Sequence, residues 1–284
     1  MGTKSGCEMD CNTCKDDAST IIAQGTGGKT WEFFQYSSPL TTVGGGLSVP
    51  VAIPTFPDSY MVIKKLFASG TVSPLAIAGN AFTVLIYNSA TGRTLQNIPI
   101  NAFNCFGGVD ANGLLLPANL KDPIILPPSS NIQIQLTDLS GAPNSIQLGF
   151  SGYRWFNLAK PPVVSRSGRR LEWFQQAVNV VLPSNGQTTQ QIRIDADADF
   201  LVRKIMTTRT YSVGYNVQIS DSSSKDTWTD LPQNSQIMAG NAPFPYWLPK
   251  PKLLAANSSI GLNFTDLGGG GTFQFVLEGS KVYR

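Results

Sequence analysis

The chain has 284 residues, of which 14% are charged, with 27 glycines, 19 prolines, four cysteines and no histidine. The lack of histidine excludes Ser-His-Asp and Cys-His catalytic sets and histidine-ligated zinc or haem. A formal net charge of +3 is too small to indicate a dedicated nucleic-acid binder. The sequence also has no apolar run of about 18 residues, so we expect neither nucleic acid nor a membrane as a partner.

Residues 1–30 are predicted to form an irregular N-terminal arm that contains three of the four cysteines. The spacing of Cys7, Cys11 and Cys14 can place sulfur atoms around zinc or an iron–sulfur cluster if a fourth ligand, such as Cys105, joins them. The same thiols can form a disulfide, or stay free in a polar arm that tethers a neighbouring subunit. A metal at these cysteines is the one cofactor that the sequence indicates, and otherwise we expect none.

Residues 23–30 (AQGTGGKT) resemble a phosphate-binding loop with alanine in place of the first glycine. Such a loop must lead into a helix whose N-terminus faces the phosphates. The residues that follow it, 31–35, instead begin a repeat with a strand-like pattern. We therefore interpret 23–30 as a flexible glycine-rich joint.

Several segments of the first half recur in the same order in the second half, which indicates an internal duplication. The matched pairs are 31–35 with 171–175, 61–66 with 200–205, 82–86 with 215–219, 132–139 with 260–267, and 145–148 with 272–275. The repeat predicts two domains, residues 31–156 and 171–284, joined by a linker at 157–170. We expect these domains either to move separately or to pack side by side.

Each copy has the alternating pattern of half-buried strands, as in Ile132–Thr137 and Phe273–Leu277. Glycine- and proline-rich turns recur between the strands, and no helix is predicted. The predicted fold class is all-β, with two tandem β-sandwich, jelly-roll-like domains of roughly eight strands each.

The predicted linker is proline-initiated and contains a basic cluster, Arg166, Arg169 and Arg170, with no acidic residue. Such a cluster is typical of a solvated surface linker, or of weak, salt-sensitive contact with nucleic acid or an acidic protein surface. We include these arginines among the candidate partner-binding residues.

Three carboxylates follow the linker in the second copy. If residues 195–199 are extended, Asp195, Asp197 and Asp199 lie on one strand face. Calcium would relieve their repulsion, as would hydration or the nearby cations Arg193, Arg203 and Lys204.

Large aromatic residues are the other candidates for contact with a partner. The prolines of segment 243–251 exclude a central strand, so we predict an exposed, stiff loop that presents Tyr246 and Trp247. Trp155 is a further exposed candidate that is able to stack on a sugar or fill a partner's pocket, whereas such aromatics more often belong to a core or an interface.

Short motifs recur at the ends of the copies. They are Leu248–Pro251, Ala256–Ser259, Thr265–Leu267 and Gly279–Arg284, with Gly152–Arg154 in the first copy. With the tandem sandwiches, this pattern resembles virion structural proteins of tailed bacteriophages, of the minor head, decoration or neck type, over residues 31–284. The resemblance implies a non-enzymatic role in a particle assembled after synthesis in the host cytoplasm. It also implies homo-oligomers, such as rings or trimers, and the major shell protein as partners.

The sequence has low charge, polar strands and no convergent catalytic set. These features are typical of a rigid module that acts by binding other proteins. The first hypothesis is therefore a structural virion protein. The alternative is a module on a particle surface that binds a host receptor or glycan through its loop aromatics. A carboxylate-dependent glycosidase is a distant third, since no catalytic carboxylate pair is identifiable from the sequence.

Overall fold

A computed structural model describes residues 31–71, 81–109, 115–166, 168–208 and 214–283. The predicted N-terminal arm, with Cys7, Cys11, Cys14 and the glycine-rich joint, lies outside the described residues. Within the described ranges the chain is β-structure with two short helical turns. The predicted all-β class is confirmed.

Residues 31–155, here called the first half, contain strands and one helical turn. The strands are β1 (Trp31–Ser37), β2 (Thr41–Val43), β3 (Ser48–Pro54), β4 (Tyr60–Thr71), β5 (Phe82–Asn88), β6 (Arg93–Thr94), β7 (Ile100–Asn101), β8 (Gly107–Val109), β9 (Leu115–Leu126), β10 (Asn131–Asp138) and β11 (Asn144–Trp155). The helical turn α1 (Ala102–Phe106) follows β7.

Residues 165–283, here called the second half, have the same organisation. The strands are β12 (Ser165–Arg166), β13 (Arg169–Leu182), β14 (Gln187–Arg193), β15 (Asp199–Thr207), β16 (Tyr215–Asp221), β17 (Gln233–Asn234), β18 (Tyr246–Leu254), β19 (Ser259–Asp266) and β20 (Gly271–Val282). The helical turn α2 (Ser235–Met238) follows β17. None of the helices described is long and apolar enough to cross a membrane.

Each half is a sandwich of two antiparallel sheets. In the first half the order β1-β11-β4-β9-β8 faces β3-β10-β5-β6, and in the second half β12-β13-β20-β15-β18 faces β14-β19-β16-β17. In both halves the first long strand, β1 or β13, pairs with the last one, β11 or β20. The second long strand, β3 or β14, lies in the facing sheet. This is the jelly-roll arrangement. Alternate residues of the facing strands, such as Ile134 and Phe150 in the first half and Leu262 and Phe275 in the second, fill the two cores.

Irregular features recur at matching positions and confirm that the halves are copies of one fold. The pairing of β4 with β9 is interrupted between Ile63 and Lys65, and that of β15 with β18 between Val202 and Lys204. Gly152 and Gly279 lie beside these bulges. A Cβ atom on either glycine would stand 1.9 Å from a backbone oxygen of the neighbouring strand, so only glycine fits. The asparagine side chains of Asn101 and Asn234 each cap the following helical turn.

The prediction of an exposed loop at 243–251 is wrong from residue 246 onward. Residues 246–254 form β18, which pairs on one side only, with β15. Prolines 249 and 251 are tolerated because they lie on an edge strand beside a bulge, where no ladder hydrogen bond needs their missing N–H groups. The end of the predicted linker pairs as the hairpin of β12 and β13.

The exposure predicted for Trp155 is also wrong. Its side chain is 2% exposed, and its indole N–H donates to the carbonyl oxygens of Asn157 and Lys160 at 3.1 and 2.8 Å. This satisfied donor allows a tryptophan to be buried at the end of β11. Residues 195–199 do not meet the condition for a shared strand face, because they form a turn and only Asp199 belongs to β15.

Candidate functional site

The two halves pack side by side, and the contact between them is called the internal interface. The outer face of the second-half sheet β13-β20-β15 packs against the first half. Trp173, Ala177, Met206 and Val276, on that face, belong to the same hydrophobic cluster as the first-half core. The two halves therefore share one continuous hydrophobic cluster across the interface.

Two ion pairs are buried at the internal interface. Arg203 Nε lies 2.9 Å from Asp122 Oδ2, and both side chains are at most 4% exposed. Asp122 also accepts a short hydrogen bond from the Ser280 hydroxyl. Lys204 Nζ lies 2.6 Å from Glu278 Oε1 and donates to the carbonyl oxygen of Asn119 at 2.7 Å. Burying charges is costly unless they are paired and hydrogen-bonded, and here both conditions are met.

Side-chain amides complete the internal interface. Gln96 Nε2 donates to Gln175 Oε1 at 3.2 Å, and Gln175 Nε2 in turn donates to Glu278 Oε2 at 3.1 Å. Asn97 makes a two-way bond with the backbone of Ala177, at 2.9 and 2.7 Å. Each bond joins residues distant in sequence, so the relative position of the halves is fixed by directional contacts.

Cys105, considered above as a fourth metal ligand, lies within the first-half core. It is fully buried, accepts a hydrogen bond from Gln96 Nε2 at 3.4 Å, and burial raises the pKa of its thiol well above the ordinary value. A thiol of this kind stays protonated and packs as a small apolar group. Cys7, Cys11 and Cys14 lie outside the described residues, so metal binding by these cysteines stays a prediction.

The three aspartates, for which calcium and nearby cations were both considered above, are paired with cations. Lys281 Nζ lies 2.8 Å from Asp195 and 3.1 Å from Asp197, and Arg93 Nη1 lies 3.5 Å from Asp197. Asp199 turns away and accepts from the backbone N–H of Ala256 at 2.9 Å. In the described ranges no three His, Cys, Asp or Glu side chains group as metal ligands would. The carboxylates are neutralised by side chains of the protein.

The predicted arginine cluster spreads along the β12–β13 hairpin. Arg169 lies 3.9 Å from Asp199, and Arg170 lies 4.0 Å from Glu172, with both arginine side chains more than half exposed. Arg166 pairs with Arg169 as a strand neighbour, and its side chain lies outside what the structure describes. Arg169 and Arg170 each lie beside a carboxylate.

The predicted aromatic candidates lie next to one another on the edge strand β18. Trp247 is 45% exposed, and its ring covers the ammonium group of Lys204 at 4.6 Å. Tyr246 is half-buried against the second-half core. Trp247 therefore shields one of the buried ion pairs from water while it presents its other face outward.

The described residues form two exposed apolar surfaces that bear on function. The first, called the open face, lies on the outer side of β1, β4 and β11 and carries Trp31 and Phe33, which are 59% and 67% exposed, with Phe67 and Tyr153 beside them. The second, called the open edge, lies on the second half between residues 231 and 253. Its exposed side chains are Leu231, Ile237, Phe244, Trp247 and Leu253.

Sequence reasoning identified part of the open edge, through Tyr246 and Trp247, but missed the open face. The signal was present in the repeat, because Phe33 matches Trp173 and both positions carry aromatic residues. Alternation alone assigns such residues to one face of a strand without saying whether that face is covered.

Comparison with known proteins gives likenesses of shape only. The sequence matches no protein-family model and no curated protein at a significant level. Among solved structures, the major capsid protein P2 of bacteriophage PM2 is similar over 89% of this chain and 98% of its own, with 13% identity and a TM-score of 0.46. The Sulfolobus turreted icosahedral virus structure is similar over 87% of this chain and 90% of its own, with 11% identity and a TM-score of 0.48.

An enzyme structure is also similar. Peptide:N-glycanase F matches over 88% of this chain and 95% of its own, with 10% identity and a TM-score of 0.37. All three TM-scores are below 0.5, so these likenesses carry no functional conclusion for this chain.

Proposed function

We propose that the chain is a non-enzymatic structural component of a virus particle, acting through protein–protein interfaces as a minor capsid, decoration or neck protein. The observation that carries the proposal is the internal interface. The buried Arg203–Asp122 ion pair and amide bonds such as Gln96–Gln175 join two jelly-roll sandwiches into one rigid unit whose described residues still expose two apolar surfaces. A rigid unit with outward apolar surfaces is suited to repeated assembly.

The buried charges favour a structural role over catalysis. Asp122 and Glu278 are each held by a cation and by neutral hydrogen-bond donors, and both lie in a packed contact rather than a cleft. Catalytic carboxylates instead need access to substrate and room for water or a reacting group. These groups stabilise the unit and leave no acid–base pair in the internal interface.

The partners that fit this unit are other virion proteins, including further copies of the chain and the major shell protein. The open face and the open edge together expose large aromatic and aliphatic side chains, the residue types that dominate protein interfaces. Localisation to the virion, after synthesis in the host cytoplasm, is part of the proposal.

The test is quantitative mass spectrometry of density-banded particles from cells that make this protein. A copy number in the hundreds relative to the major shell protein supports decoration, and roughly a dozen supports a neck or vertex position. A copy number equal to that of the most abundant shell protein would refute the minor type while keeping the virion role. Absence from particles would refute the virion role, and glycan binding by the chain that Trp247→Ala abolishes would then support the receptor-binding alternative.

A further inference from the structure

The outer face of the matching sheet differs in exposure between the two copies of the duplicated fold. Matched positions on the outer faces of β1 and β13 are exposed in the first half and buried in the second. Phe33 is 67% exposed where its counterpart Trp173 is 2% exposed, and Trp31 is 59% exposed where Leu171 is 4% exposed. Gln35 is exposed, whereas Gln175 is fully buried. Among the described residues, a surface that the duplication made twice is therefore covered only once.

The cover of the second-half face comes from one edge of the first half. Strand β9 supplies Asp122, the carbonyl of Asn119 and the side chain of Ile125, and α1 with residues 96–99 supplies the amide contacts. Ile125 packs against the cluster of Leu171, Leu201 and Val282. This edge of the first half therefore covers the outer face of the second-half sheet.

The second half has the same edge, and its apolar side chains Trp247 and Leu253 are 45% and 48% exposed. The register identifies the counterparts, because Asn119 pairs with Lys65 as Trp247 pairs with Lys204, and Ile125 pairs with Val62 as Leu253 pairs with Leu201. Counting from the capping asparagines Asn101 and Asn234, the buried Asn104 corresponds to Ile237, which is 68% exposed. These counterparts form the open edge.

We propose that the open face of one molecule binds the open edge of a second copy of this chain, in the arrangement that the internal interface already shows between the two halves. The contact is heterologous, because two different surfaces meet, so repetition yields either a closed ring or an open chain. In this arrangement Leu253 packs against Trp31, as Ile125 packs against Leu171. The ammonium group of Lys65 reaches the carbonyl oxygen of Trp247, as that of Lys204 reaches Asn119.

The charges at the new contact differ from those of the internal interface and make it weaker. The counterpart of Asp122 on the open edge is Lys250, and the counterpart of Arg203 on the open face is Lys64, since each occupies the same place in its bulged strand pair. Two lysines therefore stand where the internal interface has an ion pair. Their repulsion is screened by salt, so association strengthens as ionic strength rises.

The first test measures the mass of the full chain by light scattering over a range of concentrations. Wild type is expected to form oligomers whose fraction increases with salt. Phe33→Asp on the open face and Ile237→Asp on the open edge are each expected to reduce the mass to that of a monomer. Both side chains are about two-thirds exposed, so the melting temperatures should stay at the wild-type value, and Val181→Asp, at a residue that is 69% exposed and on neither surface, is the matched control.

Mixing the two variants distinguishes this mode from a symmetric dimer. Phe33→Asp retains its open edge and Ile237→Asp retains its open face, so an equimolar mixture should give a one-to-one dimer and nothing larger. Lys250→Asp should restore the charge found at Asp122 and tighten association roughly fivefold, the worth of one exposed ion pair.

A monomeric wild type at every concentration and salt, or a mixture that stays monomeric, would overturn the inference. Oligomers of wild-type mass in both the Phe33→Asp and the Ile237→Asp variant would also overturn it. The inference extends the proposed function to self-association, and its failure is distinguishable from failure of the virion role because particle composition is measured independently.

Discussion

Replacing Asp122 by asparagine is the sharpest test of how the halves are joined. Asp122 is 2% exposed and accepts from Arg203 Nε at 2.9 Å, from Arg203 Nη2 at 3.4 Å and from the Ser280 hydroxyl. Asp122→Asn retains the size of the side chain and one acceptor oxygen but removes the charge. The Arg203 guanidinium, 4% exposed, is then left buried without a counter-ion.

The expected loss follows from the geometry. At 2.9 Å and an effective dielectric constant of about 20, the attraction between unit charges is about 6 kcal/mol, and desolvation of both ions offsets much of it. Removing one partner of a buried pair typically costs about 3–5 kcal/mol, and we expect about 3 because asparagine still accepts a hydrogen bond. With an unfolding entropy near 2.1 cal/mol/K per residue, that corresponds to a melting temperature about 5 °C lower for a chain of 284 residues.

Differential scanning calorimetry of the full chain measures this shift. The matched control is Arg93→Gln, which also removes an ion pair between the halves, with Asp197, but one whose arginine is 52% exposed. An exposed pair contributes under about 1 kcal/mol, so this control should lower the melting temperature by less than about 2 °C. The double variant Asp122→Leu/Arg203→Leu should recover most of the loss. Equal shifts for Asp122→Asn and Arg93→Gln would refute the reasoning.

Three further outcomes are expected. Gly279→Ala should lower the free energy of unfolding by at least about 2 kcal/mol in urea titration, because its Cβ would meet the Leu201 carbonyl oxygen at 1.9 Å; a wild-type midpoint would contradict this. Cys105 should resist alkylation at pH 8 in the folded protein and react after denaturation, as mapped by mass spectrometry, and rapid labelling in the fold would contradict its burial. Hydrogen bonds from backbone N–H groups, that of Asn185 first, hold the pKa of Asp266 below its usual value. Its contribution is therefore present above the ordinary aspartate range and lost as pH falls through the lowered pKa, and Asp266→Asn should flatten that acid limb of the stability curve.

The fold was predictable because its signals are local in sequence. Alternation in segments such as Ile132–Thr137 specifies half-buried strands, and the repeated order of matched segments specifies a duplicated sandwich. The error at residues 246–254 arises from a rule about central strands, since proline is compatible with an edge strand beside a bulge.

The internal interface was not predictable, because its partners are far apart in the sequence. Asp122 and Arg203 are separated by 81 positions, and Lys204 and Glu278 by 74. No local pattern marks these four charges as buried, and isolated charged residues in strands are usually solvated. Asp122 and Arg203 meet only because one half packs on the other, whereas Lys204 and Glu278 are strand neighbours within the second half.

The uneven covering of the two copies has a consequence for synthesis on the ribosome. The first half emerges first, and its strands close a sandwich among themselves, so it is able to fold before the rest of the chain is made. Trp173, Met206 and Val276 lie on the outer face of the second-half sheet. These side chains stay exposed to solvent until they pack against the folded first half. The order of the two copies along the chain thus ensures that the docking surface exists before the apolar face that needs it leaves the ribosome.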